Sequence, residues 1–157
     1  MRVLAVDPGY DRLGVAVLER EGGKEVLLFS SCIETDRTAS LPDRLLVLGR
    51  EMERIICEYN PTALGIETLF FNANRTTAMG VASVRGMIIY LAKTHDCTVY
   101  EYSPQQIKVA VTGYGNSDKQ AVFDMLTRLV PNIPKGRRDD EYDAIATGVT
   151  CLAHNPR

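Results

Sequence analysis

The sequence predicts a mixed α/β fold, with a five-stranded sheet that carries helices on both faces. Residues 1–34 alternate short apolar runs with turn residues, which is typical of an antiparallel meander. After residue 40, short apolar runs alternate with segments of helical period, which indicates β-α-β units. A chain of 157 residues, 45% hydrophobic and 24% charged, can bury a sizeable core, and we expect residues 1–157 to form one domain.

The meander is predicted from three runs of β-forming residues, over residues 1–7, 13–19 and 26–33. The first run ends in a carboxylate, Asp7, directly before the turn residues Pro8 and Gly9. An acid at the end of a buried strand requires hydrogen-bond donors or a cation. The alternative is that Asp7 caps the turn through its side chain.

Five helices are predicted from helical spacing of apolar residues, from starts at proline or capping residues, and from breakers at the ends. Four of them cover residues 42–59, 76–93, 104–111 and 140–153. The remaining helix is capped by Ser117 in the pattern Ser117-x-x-Gln120 and runs to residue 130. The helix over 76–93 has small residues, Gly80, Ser83 and Gly86, and we expect it to contact another helix, within the protomer or between protomers.

Two further strands are predicted over residues 63–67 and 98–102. The first of these ends in Glu67, just as the first strand of the chain ends in Asp7. In a sheet built from a meander followed by β-α-β units, these two strands lie near the centre. We therefore expect Asp7 and Glu67 on neighbouring strands.

The last helix contributes two more acids. Asp140 and Asp143 are three residues apart, so they share one face of the first helical turn. The alternative is ordinary acidic charge at a helix N-terminus, where the dipole favours anions. Asp139 and Glu141 are expected to point away from this face into solvent.

Together, Asp7, Glu67, Asp140 and Asp143 predict a metal site. Converging carboxylates repel one another, and a cation relieves the repulsion. Carboxylate ligands select hard ions, Mg²⁺ or Mn²⁺. Two such ions, roughly 3.5–4 Å apart, can activate a water and stabilise the leaving oxygen of a phosphodiester. The chain has no Ser-His-Asp or Cys-His pattern that would compete with this interpretation.

The charge distribution is uneven, although the net charge is only −2. Basic residues outnumber acidic ones between positions 71 and 138, while both flanks are acidic. This pattern suits phosphate binding by the middle of the chain, but charge alone favours the alternative, a solvated helix face that happens to be basic. Candidate phosphate contacts, chosen by charge and loop position, are Arg75, Lys135, Arg137 and Arg138. No apolar stretch is long enough to span a membrane and no secretory signal is present, so a cytoplasmic location is expected.

Four motifs follow one another over nearly the whole chain: Asp7-Pro8-Gly9 with Gly14, Glu67-x-x-Phe70, Gly113-x-Gly115-x-x-x-Lys119, and Asp140-x-x-Asp143-Ala144. In this order they resemble the RuvC family of bacterial Holliday junction resolvases, the crossover junction endodeoxyribonucleases. The resemblance implies a ribonuclease H-like fold and a homodimer that nicks four-way DNA junctions symmetrically with Mg²⁺ or Mn²⁺, in homologous recombination and repair. It also implies a branch-migration helicase as a functional partner.

The resemblance also assigns roles to residues. The four acids would be the metal-binding catalytic groups, with Asp7 the bridge between two ions. Lys119 and Lys108 would lie near the scissile phosphate, and Phe70 would stack on a base near the junction centre. Such stacking contributes about 1–3 kcal/mol per base. The alternative for Phe70 and its neighbour Phe71 is packing in the core.

Three other functions share parts of this pattern. Ribonuclease H-like nucleases that trim ribosomal RNA precursors also begin with Asp-x-Gly, but they require neither Phe70 nor a dimer. A non-catalytic junction-binding relative would have lost one of the acids. An actin-like ATPase or sugar kinase needs two lobes, and 157 residues supply one. Within the resolvase interpretation, Arg137 and Arg138 could pair with the neighbouring acids when no metal is bound.

Overall fold

A computed structural model describes residues 1–68 and 75–155, with side chains from residue 78 onward in the second part. Its sheet has five strands in the order β3-β2-β1-β4-β5. The strands are β1 Arg2–Asp7, β2 Arg12–Glu21, β3 Lys24–Glu34, β4 Ala63–Glu67 and β5 Thr98–Tyr102. β2 is antiparallel to both β1 and β3, while β4 is parallel to both β1 and β5. The predicted mixed sheet is confirmed.

The described residues form five helices, at the positions that the sequence predicts to within a few residues. They are α1 Leu41–Tyr59, α2 Arg75–Thr94, α3 Pro104–Thr112, α4 Lys119–Leu129 and α5 Asp139–His154. None of them is long and apolar enough to cross a membrane.

The predicted cap of α4 is wrong. Asp118 is the N-cap, and its carboxylate accepts a hydrogen bond from the amide of Ala121 at 2.8 Å. The Ser117 hydroxyl lies instead against Thr112 and the carbonyl of Tyr114. An aspartate and a serine are equally good caps, so two such residues in a row leave the start of a helix undetermined by the sequence.

Large aliphatic side chains fill one face of the sheet. Leu4, Val6, Leu64 and Ile66 are fully buried in one cluster with residues of α1 and α2. Because side chains alternate along a strand, the residues between them face the opposite side. This face, which we call the helical-pair face, is an ordinary apolar core.

Small residues dominate the other face, which packs against α5. Ala16, Ala5 and Gly65 lie side by side across β2, β1 and β4. A Cβ built on Gly65 would lie 3.1 Å from the Cβ of Cys151, and one on Gly148 would lie 2.3 Å from a methyl of Leu18. The absence of these side chains lets α5 lie close to the sheet. We call this side the α5 face.

The small residues of α2 are not equivalent. Gly80 is buried, and a Cβ there would lie 2.6 Å from the ring of Tyr10 in the β1-β2 turn. Ser83 and Gly86 are exposed, and a Cβ on Gly86 would meet nothing within 4 Å. The expected contact of this surface with another helix is therefore not made by the described residues of one protomer.

Candidate active site

Two of the predicted acids end neighbouring central strands. β1 and β4 pair in parallel with Val6 opposite Ile66, and Asp7 and Glu67 follow these residues. Alternation places both carboxylates on the α5 face, in line with Ala5 and Gly65. The expectation that Asp7 and Glu67 lie on adjacent strands is confirmed.

A glycine brings the other two acids to the same place. Gly14 pairs with Asp7 across β1 and β2. A Cβ on Gly14 would lie 1.8 Å from the carbonyl oxygen of Asp140, much closer than any contact allows. Only glycine therefore lets the first turn of α5 lie on the sheet here. This turn carries Asp140 and Asp143.

The four carboxylates influence one another electrostatically. Burial raises the pKa of Asp7 to about 7, with further contributions from the charges of Asp143, Glu67 and Asp140. Burial and the charge of Asp143 raise the pKa of Glu67. Burial also raises the pKa of Asp143, and Lys119 partly offsets this effect. Burial and mutual repulsion thus destabilise the ionised forms of these carboxyl groups.

Protein groups do little to relieve this repulsion. Within residues 1–68 and 75–155, the carboxylates of Asp7, Glu67 and Asp143 accept no hydrogen bond and form no ion pair. Asp140 is paired with Arg12 of β2, at 3.4 Å between the guanidinium Nε and a carboxylate oxygen. Arg12 was not predicted as a partner, because 128 positions separate it from Asp140 in the chain.

The chemistry of these donors fits a hard divalent cation. All four offer half-buried carboxylate oxygens at the carboxyl ends of β1 and β4, and such oxygens suit Mg²⁺ or Mn²⁺. In the part of the chain that the structure describes, no three His, Cys, Asp or Glu side chains are close enough together to hold an ion as they stand.

Lys119 and Lys108 lie on the same side of the sheet as the acids. Lys119 is the first residue of α4, and its ammonium group is 3.1 Å from a carboxylate oxygen of Asp139. The hydrogen bond to Asp139 raises the pKa of Lys119, and the charge of Asp143 adds to the shift. Lys108, on α3, lines a groove together with Glu67 and Asp143. The structure thus brings both lysines near the acids.

The arginines before α5 do not pair with the four acids. Arg138 is the N-cap residue of α5, and its guanidinium pairs with Glu34 at 2.5 Å. Arg137 is exposed, and its side chain forms no ion pair with a described residue. The expectation that Arg137 and Arg138 neutralise these acids is therefore wrong. Arg12 has this role for Asp140.

Glu141 is also placed differently from its prediction. It is only 3% exposed, and the hydroxyl of Ser30 on β3 donates a hydrogen bond to its carboxylate at 2.6 Å. Asp139 is exposed, as predicted. A helical pattern alone cannot reveal Glu141 as buried, because its partner lies on a distant strand. The contact ties the first turn of α5 to the edge of the sheet.

Two predicted DNA contacts lie at or beyond the limits of the structure. Phe70 is outside the described residues, as is Phe71. Arg75 begins α2, but its side chain is not described. Lys135 is exposed in the loop between α4 and α5.

Comparisons with known proteins agree with the motifs. The family model described as crossover junction endodeoxyribonuclease RuvC matches residues 3–151. A protein of that name from Thermosipho melanesiensis is 41% identical over 158 aligned residues, covering 100% of this chain and 99% of the relative. One from Alkaliphilus oremlandii is 39% identical, covering 98% of this chain and 93% of the relative.

Solved structures give the same result. RuvC from Thermus thermophilus, in complex with a Holliday junction substrate, superposes with a TM-score of 0.92 at 26% identity. The match covers 98% of this chain and 94% of that protein. The yeast mitochondrial Holliday junction resolvase Ydc2 shares the fold, with a TM-score of 0.66 at 16% identity. The sheet order and α5 therefore form the ribonuclease H-like fold of these enzymes, and the chain belongs to the crossover junction endodeoxyribonuclease RuvC family.

Proposed function

We propose that this chain is a structure-specific endonuclease that resolves four-way DNA junctions, in recombination and repair, by paired symmetric nicks. The observation that carries the proposal is the meeting of Asp7, Glu67, Asp140 and Asp143 on the α5 face. Family membership and the likeness to a resolvase bound to its junction support the choice of substrate.

The four acids, Asp7 among them, would hold two Mg²⁺ or Mn²⁺ ions. Such a pair activates the attacking water and stabilises the leaving oxygen of a phosphodiester. Lys119 would place its ammonium group beside the non-bridging phosphate oxygens, since it already lies close enough to influence Asp7 and Asp143. Lys108 would act in the same way from α3. Gly14 positions Asp140 and Asp143 by letting α5 approach the sheet.

The remaining DNA contacts are proposed from charge and position. Arg137 is exposed and unpaired among the described residues, beside the groove that Glu67 and Asp143 line. Arg138 can reach phosphate only if it leaves Glu34. Phe70 would stack on a base near the junction centre, and Arg75 would contact phosphate at the start of α2. Phosphate contacts of this kind orient the substrate without reading its sequence.

We propose that the exposed face of α2 forms a homodimer. Five residues at helical spacing share this face, and all are exposed: Met79, Ala82, Ser83, Gly86 and Tyr90. Small residues at the centre allow close approach, while Met79 and Tyr90 are 75% and 69% exposed and supply apolar surface. A two-fold dimer would present two active sites to the two symmetric scissile phosphates of a junction. A branch-migration helicase is a further proposed partner, from the resemblance alone.

A nicking assay tests this function. A mobile, end-labelled four-way junction, a linear duplex of the same sequence and a structured RNA are each incubated with protein and Mg²⁺ or EDTA. We expect paired nicks in the junction alone, dependent on the metal and reduced at least about 1,000-fold in Asp7→Asn, since one of the carboxylates that would hold the metal is lost. Glu53→Gln, an equivalent neutralisation of an exposed acid on α1, should cleave normally.

Other outcomes of this assay would overturn the proposal. Cleavage of the RNA without cleavage of the junction would favour a ribosomal RNA nuclease. Binding of the junction without nicks in either metal would favour a non-catalytic relative.

A further inference from the structure

A groove of about 460 Å³ opens between α3, α4 and α5. Its floor is apolar, since Ile107, Leu126 and Ala146 are at most 7% exposed. A cavity of this size is within the range of sites that bind small ligands. The proposed function uses its edge but does not use its interior.

The groove is continuous with the active site. Glu67 and Asp143, two of the four acids, form one end of its lining. A strand with a phosphate at the acids would therefore place its next nucleotide at the mouth of the groove.

The walls are aromatic and fixed in position. The hydroxyl of Tyr142 donates a hydrogen bond to the carbonyl of Pro134 at 2.9 Å and accepts one from the amide of Arg137 at 3.1 Å. Phe123 packs edge-on against the Tyr142 ring, with 4.8 Å between ring centroids and 69° between planes. Flat aromatic and aliphatic surfaces of this kind suit a planar ring system.

The rim carries charges of both signs. Lys108, Lys119 and Arg137 lie at the opening together with the acids Glu67, Asp139 and Asp143. Among the described residues, Lys108 and Arg137 form no side-chain ion pair, and the partner of Lys119 is the exposed Asp139. An apolar interior, with cationic side chains at its mouth beside the acids that would hold metal ions, complements a nucleotide, whose base is planar and apolar on its faces and whose phosphates are anionic.

We propose that this groove receives one unstacked nucleobase of the cleaved DNA strand, adjacent to the scissile phosphate. The inference rests on the proposed nuclease function and adds a base-binding site to it. Phe123 and Tyr142 contact the base, while Lys108 and Arg137 bind the phosphates on either side. The amide nitrogen of Gln120 donates to Asp124 at 2.8 Å, while its carbonyl oxygen at the wall accepts nothing from a described residue and would accept a hydrogen bond from an exocyclic amine.

The test places 2-aminopurine, whose fluorescence rises on unstacking, at each position within three nucleotides of the nick. Binding is measured with full-length protein carrying Asp7→Asn, so that the junction stays intact. We expect a several-fold rise at one position next to the nick. A matching series of abasic junctions, nicked by the unmodified protein, should be cut about tenfold more slowly when that same base is absent.

Val122→Trp fills the groove from α4, and Thr127→Trp adds the same ring on the exposed side of that helix. We expect Val122→Trp to abolish the fluorescence rise and to slow nicking about tenfold, with no further loss on the abasic junction. Thr127→Trp should behave as the unmodified protein. If circular dichroism shows that Val122→Trp is unfolded, the smaller Val122→Phe replaces it.

Two results would overturn the inference. One is the absence of any fluorescence rise next to the nick. The other is that removing the base slows nicking by the same factor in Val122→Trp as in the unmodified protein. The two changes would then act independently, which means that the base lies elsewhere, for example on Phe70. Both are distinct from failure of the nuclease proposal, in which the unmodified protein would not nick an ordinary junction at all.

Discussion

The two faces of the sheet are built from the same strands but have opposite properties. On the helical-pair face, Leu4, Val6, Leu64 and Ile66 are fully buried among apolar neighbours. On the α5 face, the same strands carry Ala5 and Gly65 and end in Asp7 and Glu67. Large buried side chains stabilise the helical-pair face, while the α5 face has small side chains and four acids.

This difference shows how a strand can serve both stability and chemistry. Period-two alternation lets β1 and β4 contribute to a normal core on one side while presenting functional groups on the other. The small residues matter because they bring the first turn of α5, with Asp140 and Asp143, down to the ends of the strands. The buried charge is then a cost that a bound cation offsets.

Among changes that leave the four acids in place, the largest effect on nicking is expected from Gly14→Ala on the α5 face. The new Cβ would collide with the carbonyl of Asp140, so α5 or β2 must shift. We expect a loss of about 1–3 kcal/mol in the free energy of unfolding and of about 100-fold in nicking rate, since small displacements of catalytic groups have effects of this size. Urea unfolding and a single-turnover nicking assay measure the two quantities.

Gly115→Ala is the matched control for this change. A Cβ there would meet only Val109, at an ordinary 3.4 Å. Stability and nicking should both be nearly unchanged. Equal effects of the two alanines would contradict the idea that close approach of α5 builds the active site.

The converse experiment is Leu64→Ala on the helical-pair face. Leu64 is fully buried, and its truncation should lower the free energy of unfolding by about 2–5 kcal/mol. Nicking per folded molecule at 20 °C should stay within about twofold, because no acid is displaced. A loss of activity in excess of the unfolded fraction would show that the two faces are not separable.

The pH dependence of stability provides a third comparison. Burial and neighbouring acids raise the pKa of Asp7 from 3.8 to about 7, and the pKa values of Glu67 and Asp143 are also raised. A raised pKa means that folding favours the protonated acid, so the contribution of these acids to stability is full below pH 4 and is lost as the pH rises through 7. In EDTA we expect a decrease of the order of 2–4 kcal/mol over this range, measured by urea unfolding.

Asp11 and Asp36 change stability in the opposite direction. Hydrogen bonds from Arg44 and Thr38 lower their pKa values, so the contribution of these two acids to stability is lost as the pH falls. Mg²⁺ should flatten the decrease between pH 4 and 7. Stability that rises over this range in EDTA would show that the four carboxylates are not mutually repulsive.

The smallest effect is expected from Arg12→Gln. The guanidinium is partly exposed, so its ion pair with Asp140 contributes at most about 1 kcal/mol. Arg12 nevertheless competes with a cation for Asp140, and its removal should lower the dissociation constant for Mn²⁺ about two- to fivefold by calorimetry. Arg138→Gln, which breaks a pair with Glu34, should change it less than twofold. Weaker Mn²⁺ binding by Arg12→Gln would mean that this arginine positions Asp140 for the metal.

The sequence was sufficient for the sheet, the helices and the clustering of the acids. Strands that end in Asp7 and Glu67 are recognisable because each apolar run stops at a carboxylate, and connectivity makes them neighbours. The sequence was insufficient where a contact joins distant residues of similar type. Two contacts depend on how α5 fits against the sheet. One is the ion pair of Asp140 with Arg12 rather than with Arg137, and the other is the buried hydrogen bond between Glu141 and Ser30.

The most direct test is thermal unfolding of the unmodified protein and of Asp7→Asn, at pH 8 in EDTA and in MgCl₂. It shows whether the buried carboxylates on the α5 face repel one another and bind a cation. In EDTA we predict a higher Tm for Asp7→Asn, because one buried charge is gone. MgCl₂ should then raise the Tm of the unmodified protein by several degrees and that of Asp7→Asn much less. A lower Tm for Asp7→Asn in EDTA, with the same MgCl₂ shift in both proteins, would contradict the account.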